Sequence, residues 1–256
     1  MDGYRDSEEQ VTEVHYREAN ALVEDGKYLE AVNAYKALGN YKDSEKKIVE
    51  IEDANNQKNY DNALALMGEG NFATARTIFS SLGNYEDAEK QADICSYHLL
   101  MDAYLAGEEA NLVTMYNGLK NLTSDVLDTK KYREEFSDLL DQITGNFNGP
   151  LQDSGRQMYM QSGTDDVILY LADVVNNGPN TPVTKYESYG KTYYLIGANI
   201  KSGTIWRTSV TWYVQNGELV YGKTESFGIV LTPTDAGFAA TDTTKGTTFT
   251  GNYTKA

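Results

Sequence analysis

The chain has 256 residues, a formal net charge of −16, one cysteine, two histidines and 20 tyrosines. That length allows one large or two modest domains, each with a core of its own. The acidic balance argues against nucleic acid, whose phosphates call for clustered Lys and Arg, and against anionic membrane surfaces; a lone cysteine excludes an internal disulfide.

The charge is unevenly spread. Residues 1–145 carry 14 basic and 29 acidic side chains, whereas 146–256 carry 8 and 9. The first stretch is rich in Ala, Glu, Leu and Lys, which favour helix. The second is rich in Thr, Tyr, Val and Gly, which suits strands joined by turns. We therefore expect a multidomain α and β protein, with a helical repeat domain over 1–145 and a β-rich domain over 146–256. The longest apolar run, "VILYLA" at 167–172, is far too short to span a membrane. Met1-Asp2-Gly3 opens without a signal peptide.

The helical half announces itself by repetition. "GKYLEAVNAYKALGNYKDSEK" (26–46) aligns without gaps on "GNFATARTIFSSLGNYEDAEK" (70–90), 44 residues later, and a looser phrase, "GYRDSEE", sits at 3–9. The apolar spacing is that of short amphipathic helices. Each helix is expected to stop at its Leu-Gly, because glycine accepts positive φ. The next is expected to start after Tyr41 or Tyr85, with Asp43 or Asp87 accepting from free backbone N–H groups. The two tyrosines are then wedges between helix pairs. A long helix plus a short one, repeated at roughly 37 and 44 residues, predicts an α-solenoid. The third unit decays: Glu109 stands where Tyr28 and Phe72 stood, no "LGNY" follows Leu119, and one more helix fits about 125–144.

"ANALVEDGKYLEAVNAYKAL" (19–38) and "ALALMGEGNFATARTIFSSL" (63–82) carry a progression of small residue, Leu, Gly, aromatic, Ala and aromatic that resembles tetratricopeptide repeats. With "LGNYxD[SA]E" links and units longer than that family's usual 34 residues, they look more like a divergent repeat found in surface proteins of Gram-positive bacteria. The resemblance covers about 1–122. It implies a concave helical face that grips a protein or peptide partner. It also implies a cell-envelope setting outside the cytoplasm, reached through a segment upstream of the incomplete first repeat.

In the second half, "TIWRTSVTWYV" (204–214) alternates. Trp206, Thr208, Val210, Trp212 and Val214 share one face, and Arg207, Ser209, Thr211 and Tyr213 the other. "QNGE" (215–218) reads as a tight hairpin turn with "LVYGKT" as the returning strand. Further strands fit about 156–161, 183–188, 191–197, 226–232, 236–241 and 247–253. "TDDVILYLADVVNNG" (164–178) admits helix or strand; its polar residues at Asp166, Tyr170, Asp173 and Asn177 favour a short helix. A mainly antiparallel barrel or sandwich follows, with "GNFNG" (145–149) and "GNYTK" (251–255) as adjoining strands. This is faintly similar to small lipocalin-like barrels, which implies a cavity for an apolar ligand.

The residues offer little chemistry. Cys95 and His98 have a metal-compatible i, i+3 spacing, but repeat alignment puts Cys95 in an apolar column with Val14 and Ile51, and no second cluster completes a site. Two histidines leave few players for a triad. The Asp165-Asp166 pair is explained by capping more simply than by glycosidase chemistry. No catalytic residue, metal or cofactor is expected. Tyr193, Tyr194, Arg207 and Tyr213 are the candidates for ligand contact, on faces expected to be wet, while Trp206 and Trp212 belong to the core. A non-enzymatic scaffold that grips a protein or peptide, with a basic partner favoured by the charge, is the leading expectation. A β domain binding a glycan or small apolar ligand on a helical stalk is the alternative.

Overall fold

A computed structural model describes residues 2–149, 155–174, 183–188, 191–196, 205–224, 228–243 and 250–255. The architecture is α then β. Seven helices are described: α1 (Asp2–Glu24), α2 (Tyr28–Leu38), α3 (Ser44–Gly68), α4 (Phe72–Leu82), α5 (Ala88–Leu105), α6 (Leu112–Lys120) and α7 (Thr129–Ile143). The strands are β1 (Ala110–Asn111), β2 (Gly145–Asn148), β3 (Gly155–Ser162), β4 (Val167–Val174), β5 (Val183–Ser188), β6 (Lys191–Ile196), β7 (Ile205–Gln215), β8 (Glu218–Thr224), β9 (Ile229–Thr234), β10 (Gly237–Asp242) and β11 (Gly251–Lys255). The chain forms two compact units, Met1–Ser96 and Tyr97–Ala256. Helix gives way to strand at Gly145, but α6 and α7 belong to the unit that contains the sheet.

In the first unit the 44-residue spacing governs packing. One cluster is built on Ala19, Ala31, Tyr35 and Ile51, with Tyr16, Leu22 and Leu38 against it. The second is built on Ala63, Ala75, Phe79 and Cys95, with Tyr60, Leu66 and Leu82 against it. Each residue of the first set stands 44 positions before its counterpart in the second. Alanines recur because they let helices approach closely, and the buried aromatic ring fills the gap that remains.

The link between helices is a fixed turn. Gly39 and Gly83 take φ of 59° and 56°, and Lys42 and Glu86 take 49° and 47°. The carbonyls of Tyr41 and Tyr85 accept from the backbone N–H of Ser44 and Ala88 at 3.1 and 3.0 Å. Two expectations need correction here. Asp43 makes no side-chain cap to its helix; its carboxylate accepts from the Tyr16 hydroxyl instead. The phrase at 3–9 is not a link, since α1 is helical from Asp2 onward. It lacks the preceding Leu-Gly that stops a helix, and its polar residues favour helical continuation. The helix start was also the wrong anchor for alignment. Val14 is 53% exposed because the 44-residue register matches it to Lys58, not to Ile51.

The third link survives without its phrase. Leu127 takes a φ of 48°, the Val126 carbonyl accepts from the Thr129 N–H at 3.0 Å, and Thr129 is fully buried, as Ser44 and Ala88 are. Of the link's residues only Asp128 keeps its identity, so the sequence conceals a conserved geometry.

The second unit holds an antiparallel sheet that curls as a barrel does. β2 pairs β3, β3 pairs β4, β4 pairs β7, and β7 pairs β8. β8 pairs β9, β9 pairs β10, β10 pairs β11, and β11 pairs β2, so the ladder returns to its start. The expected neighbours "GNFNG" and "GNYTK" do meet, through Thr254 opposite Asn148 and Lys255 opposite Phe147. β5 and β6 form a separate two-stranded sheet. The short helix favoured for 164–178 is contradicted: 167–174 is β4, with Val167 and Leu169 both buried and a ladder on each side. Alternating burial between two partners outweighs the polar spacing that suggested a helix.

The inner face carries Phe147, Met160, Val210, Trp212, Leu231, Phe238 and Tyr253. Phe238 is its hub, with ring centroids 4.7 Å from Phe147, 5.9 Å from Trp212 and 5.8 Å from Tyr253. Gly222 makes room for the indole: a Cβ there would stand 2.8 Å from Trp212 Cδ2 and Cε2. The β7–β8 turn has Asn216 and Gly217 at φ of 50° and 81°, the geometry of a tight Asn-Gly hairpin. Helical residues grip that turn. Gly217 N–H donates to the Tyr104 hydroxyl at 2.8 Å, and Gln215 Nε2 to the Gly107 carbonyl at 2.6 Å.

Candidate functional site

Three groups of residues rise above packing. The first is a tyrosine column at 44-residue spacing, Tyr16, Tyr60 and Tyr104. Tyr16 and Tyr60 donate to Asp43 and Asp87. Their rings meet Tyr35 and Phe79 edge-on at 5.9 and 5.5 Å, and Tyr41 and Tyr85 at 5.9 and 6.2 Å. The Asp87 carboxylate holds the Tyr60 phenol up at about 12, and the Tyr60 hydroxyl in turn lowers Asp87. Tyr104 is buried, which pushes its phenol to about 12, and it donates to Glu135 at 3.3 Å. The column is mainly structural. The same spacing that revealed Tyr41 and Tyr85 would have revealed it.

The second group is a groove of about 220 Å³ between α2 and α3, lined by Tyr28, Leu29, Val32, Asn33, Ile51 and Asn55, with Lys36 and Glu52 at its edge. Val32 and Ile51 are buried, whereas Leu29 is 76% exposed. Lys36 Nζ lies 3.3 Å from Glu52 Oε1, so the two charges at the edge neutralise each other. The exposed leucine is not a feature of the repeat. The positions 44 residues on from Leu29 and Val32 are Ala73 and Arg76.

The third is a cavity of about 280 Å³ in the second unit, between the C-terminal turn of α7 and the end of the sheet. Ile143, Trp212, Leu219 and Pro233 give it apolar wall, and Asp138, Asp141, Asp235 and Lys255 its charges. Lys255 Nζ donates to the Asp141 carbonyl. Trp212 is fully buried, and its Nε1–H has no hydrogen-bond partner among the described residues.

Of the residues singled out for ligand contact, only Tyr213 has a described side chain. Tyr193 and Tyr194 lie on β6, opposite Tyr186 and Lys185. Arg207 lies on β7, opposite Tyr170. The side chains of these three fall outside the described residues. Tyr213, also on β7, is half-buried, its ring 4.8 Å from Tyr221. Tyr221 in turn donates to the Glu109 carboxylate at 3.1 Å, so the pair works as a brace. Trp212 is core, as expected; the Trp206 side chain lies outside the described residues.

Cys95 is fully buried in the second repeat's cluster, and burial pushes its thiol up. His98 Nδ1 is 2.9 Å from Asp102 Oδ1. Among the described residues no three His, Cys, Asp or Glu side chains gather as a metal site. No helix among them is long and apolar enough to cross a membrane.

No protein-family model matches the chain, and no curated protein or solved structure is significantly similar to it.

Proposed function

We propose that this is a non-enzymatic binding protein whose helix pairs stack as a tetratricopeptide-like solenoid and grip a protein or peptide partner. The observation that carries the reading is the α2–α3 groove. An exposed leucine beside buried Val32 and Ile51 forms an apolar notch, and the second repeat has Ala73 and Arg76 where the first has Leu29 and Val32. Asn33 and Asn55 line the same notch and suit the backbone amides of a bound segment. The partner is an amphipathic or extended segment with one large apolar anchor. The acidic surface favours a basic one and makes association faster at low salt. The envelope setting is part of the proposal and rests on the family resemblance.

The test is capture from bacterial envelope extract by the full chain and by its Leu29→Asp variant. The variant places a charge on an exposed position, so the fold is expected to survive, which circular dichroism checks. A partner retained by the native chain and lost from the variant supports the reading. Equal retention by both removes the groove from the account.

A second reading, a small-ligand site in the β unit, is favoured by one specific observation. It is the cavity walled by Trp212.

A further inference from the structure

The sheet of the second unit sends its short and its long connections to opposite ends. At one end lie 163–166, 216–217 and 235–236, which join β3 to β4, β7 to β8 and β9 to β10. Helical residues hold this end: Asn117 Nδ2 donates to the Thr164 carbonyl at 2.6 Å, Asn111 Nδ2 to the Asp165 carbonyl at 3.1 Å, and Tyr104 takes the Gly217 N–H. At the other end lie 149–154, 175–204, 225–228 and 243–250. The longest of these carries the β5–β6 ribbon. We infer that this ribbon is a binding arm for a glycan that contains acidic sugars. The inference goes beyond the helical groove and does not depend on it or on the Trp212 cavity. Three features carry it.

The first is length without a folding need. β4 and β7 are antiparallel neighbours, which about two to five residues would join, yet 175–204 lies between them. Among the described strands β5 and β6 pair only with each other, so the excursion does not extend the ladder. Long connections displayed by a rigid sheet are where binding residues concentrate.

The second is register. Thr184 stands opposite Leu195, Tyr186 opposite Tyr193 and Ser188 opposite Lys191. Alternation along the two strands puts these six residues on one face of the ribbon. Directly opposed positions stand about 5 Å apart at Cβ, so the two phenols span about the width of one pyranose ring. Aromatic faces suit the C–H face of a sugar, and the hydroxyls of Thr184 and Ser188, on the same face, suit its hydroxyls.

The third is charge. The tyrosine face carries Lys191 and no acidic residue, whereas the opposite face carries Lys185 and Glu187, whose charges cancel. Over 175–204 the sequence has three lysines against one glutamate, in a chain of net charge −16. A densely charged acidic protein or nucleic acid would meet repulsion from the rest of the molecule. An acidic sugar brings a single carboxylate for the single ammonium of that face, together with a ring for the phenols.

The experiment is calorimetric titration of the full chain with three probes: trigalacturonate, which has rings and carboxylates, maltotriose, which has rings alone, and triglutamate, which has carboxylates alone. The expected result is saturable binding of trigalacturonate, about tenfold weaker binding of maltotriose, the value of one well-placed charge, and none of triglutamate. Lys191→Gln should bring trigalacturonate down to the level of maltotriose. Tyr186→Ala with Tyr193→Ala should abolish binding, while Tyr194→Ala, on the opposite face, should leave it unchanged. Since the tyrosine pair also supports the ribbon, Lys191→Gln keeps the test independent of the ribbon's folding. Equal binding of triglutamate and trigalacturonate would overturn the glycan and point to an acidic protein. A loss in Tyr194→Ala as large as in the double variant would overturn the face. No heat from trigalacturonate at millimolar concentration would refute the arm and leave the helical groove standing.

Discussion

The two complete helix pairs have the same skeleton and different fastenings. In the first, Glu13 accepts from Tyr41 at 3.0 Å, from Arg17 at 3.1 Å and from Lys42, and the Lys42 ammonium lies over the Tyr16 ring at 4.8 Å. Forty-four residues on, Gln57 replaces Glu13, Asp61 replaces Arg17 and Glu86 replaces Lys42. Gln57 accepts from Tyr85 at 3.0 Å and donates to Asp61 at 2.9 Å. One repeat is clasped by ions and the other by an amide, around the same tyrosines. The lesson is that the aromatic and small-residue columns set the fold, while the charge around them is free to vary. The apolar groove of the first repeat is a second such departure, and it is the one we connect with binding.

The strongest test of the shared skeleton is Tyr35→Ala beside Phe79→Ala. Both rings are fully buried at corresponding places, so each truncation should cost about 3–5 kcal/mol, read as lost amide protection confined to its own repeat. Markedly unequal losses would break the equivalence. A smaller effect separates the repeats. Tyr35 donates to Asn20 at 2.7 Å, where Phe79 has no hydroxyl, so Tyr35→Phe should lose about 1 kcal/mol, one ordinary hydrogen bond, seen as a lower denaturation midpoint.

Acid should distinguish the clasps. Lys42 above all, then the Tyr41 hydroxyl, holds Glu13 at about 2, against 4.5 for a free glutamate. A depressed folded value means stability that is present above pH 4.5 and drains away as pH falls towards 2. Asp43 and Asp87 are both lowered by their tyrosines, so that part of the acid response is common to the two repeats. Glu13→Gln should therefore flatten the extra acid dependence of the first repeat only, measured as amide exchange across this pH window. The smallest expected effect is a transplant: Gln57→Glu with Glu86→Lys should give the second repeat the salt sensitivity of the first, visible by comparing exchange at low and high ionic strength.

Much of this organisation was legible in the residues. Gly39 and Gly83 mark helix ends because their positive φ is joined to ψ of −127° and −123°, a combination that a Cβ opposes, and the alternation from Thr208 to Val214 fixed which face of β7 is buried. What escaped was tertiary. Asp43 looked like a helix cap, but a tyrosine from the preceding long helix claims its carboxylate. β4 looked helical because polar spacing in eight residues cannot reveal that two strands flank it. The third link was hidden since its geometry needs only a left-handed Leu127 and a small buried Thr129. The cavity beside α7 could not be read at all, because its lining comes from α7, the β9–β10 turn and β11, which only folding brings together.

The central claim is that the first repeat's groove, and not the helical surface at large, receives the partner. A photoactivatable phenylalanine placed at Leu29, and separately at Ala73, in the full chain tests it most directly, because the two sites correspond within the repeat and only the first lies in the groove. The account predicts a covalent adduct with an envelope protein from position 29, weakened by a competing Leu-containing basic peptide, and none from position 73. Equal adducts from both positions, or an adduct from 73 alone, would contradict it.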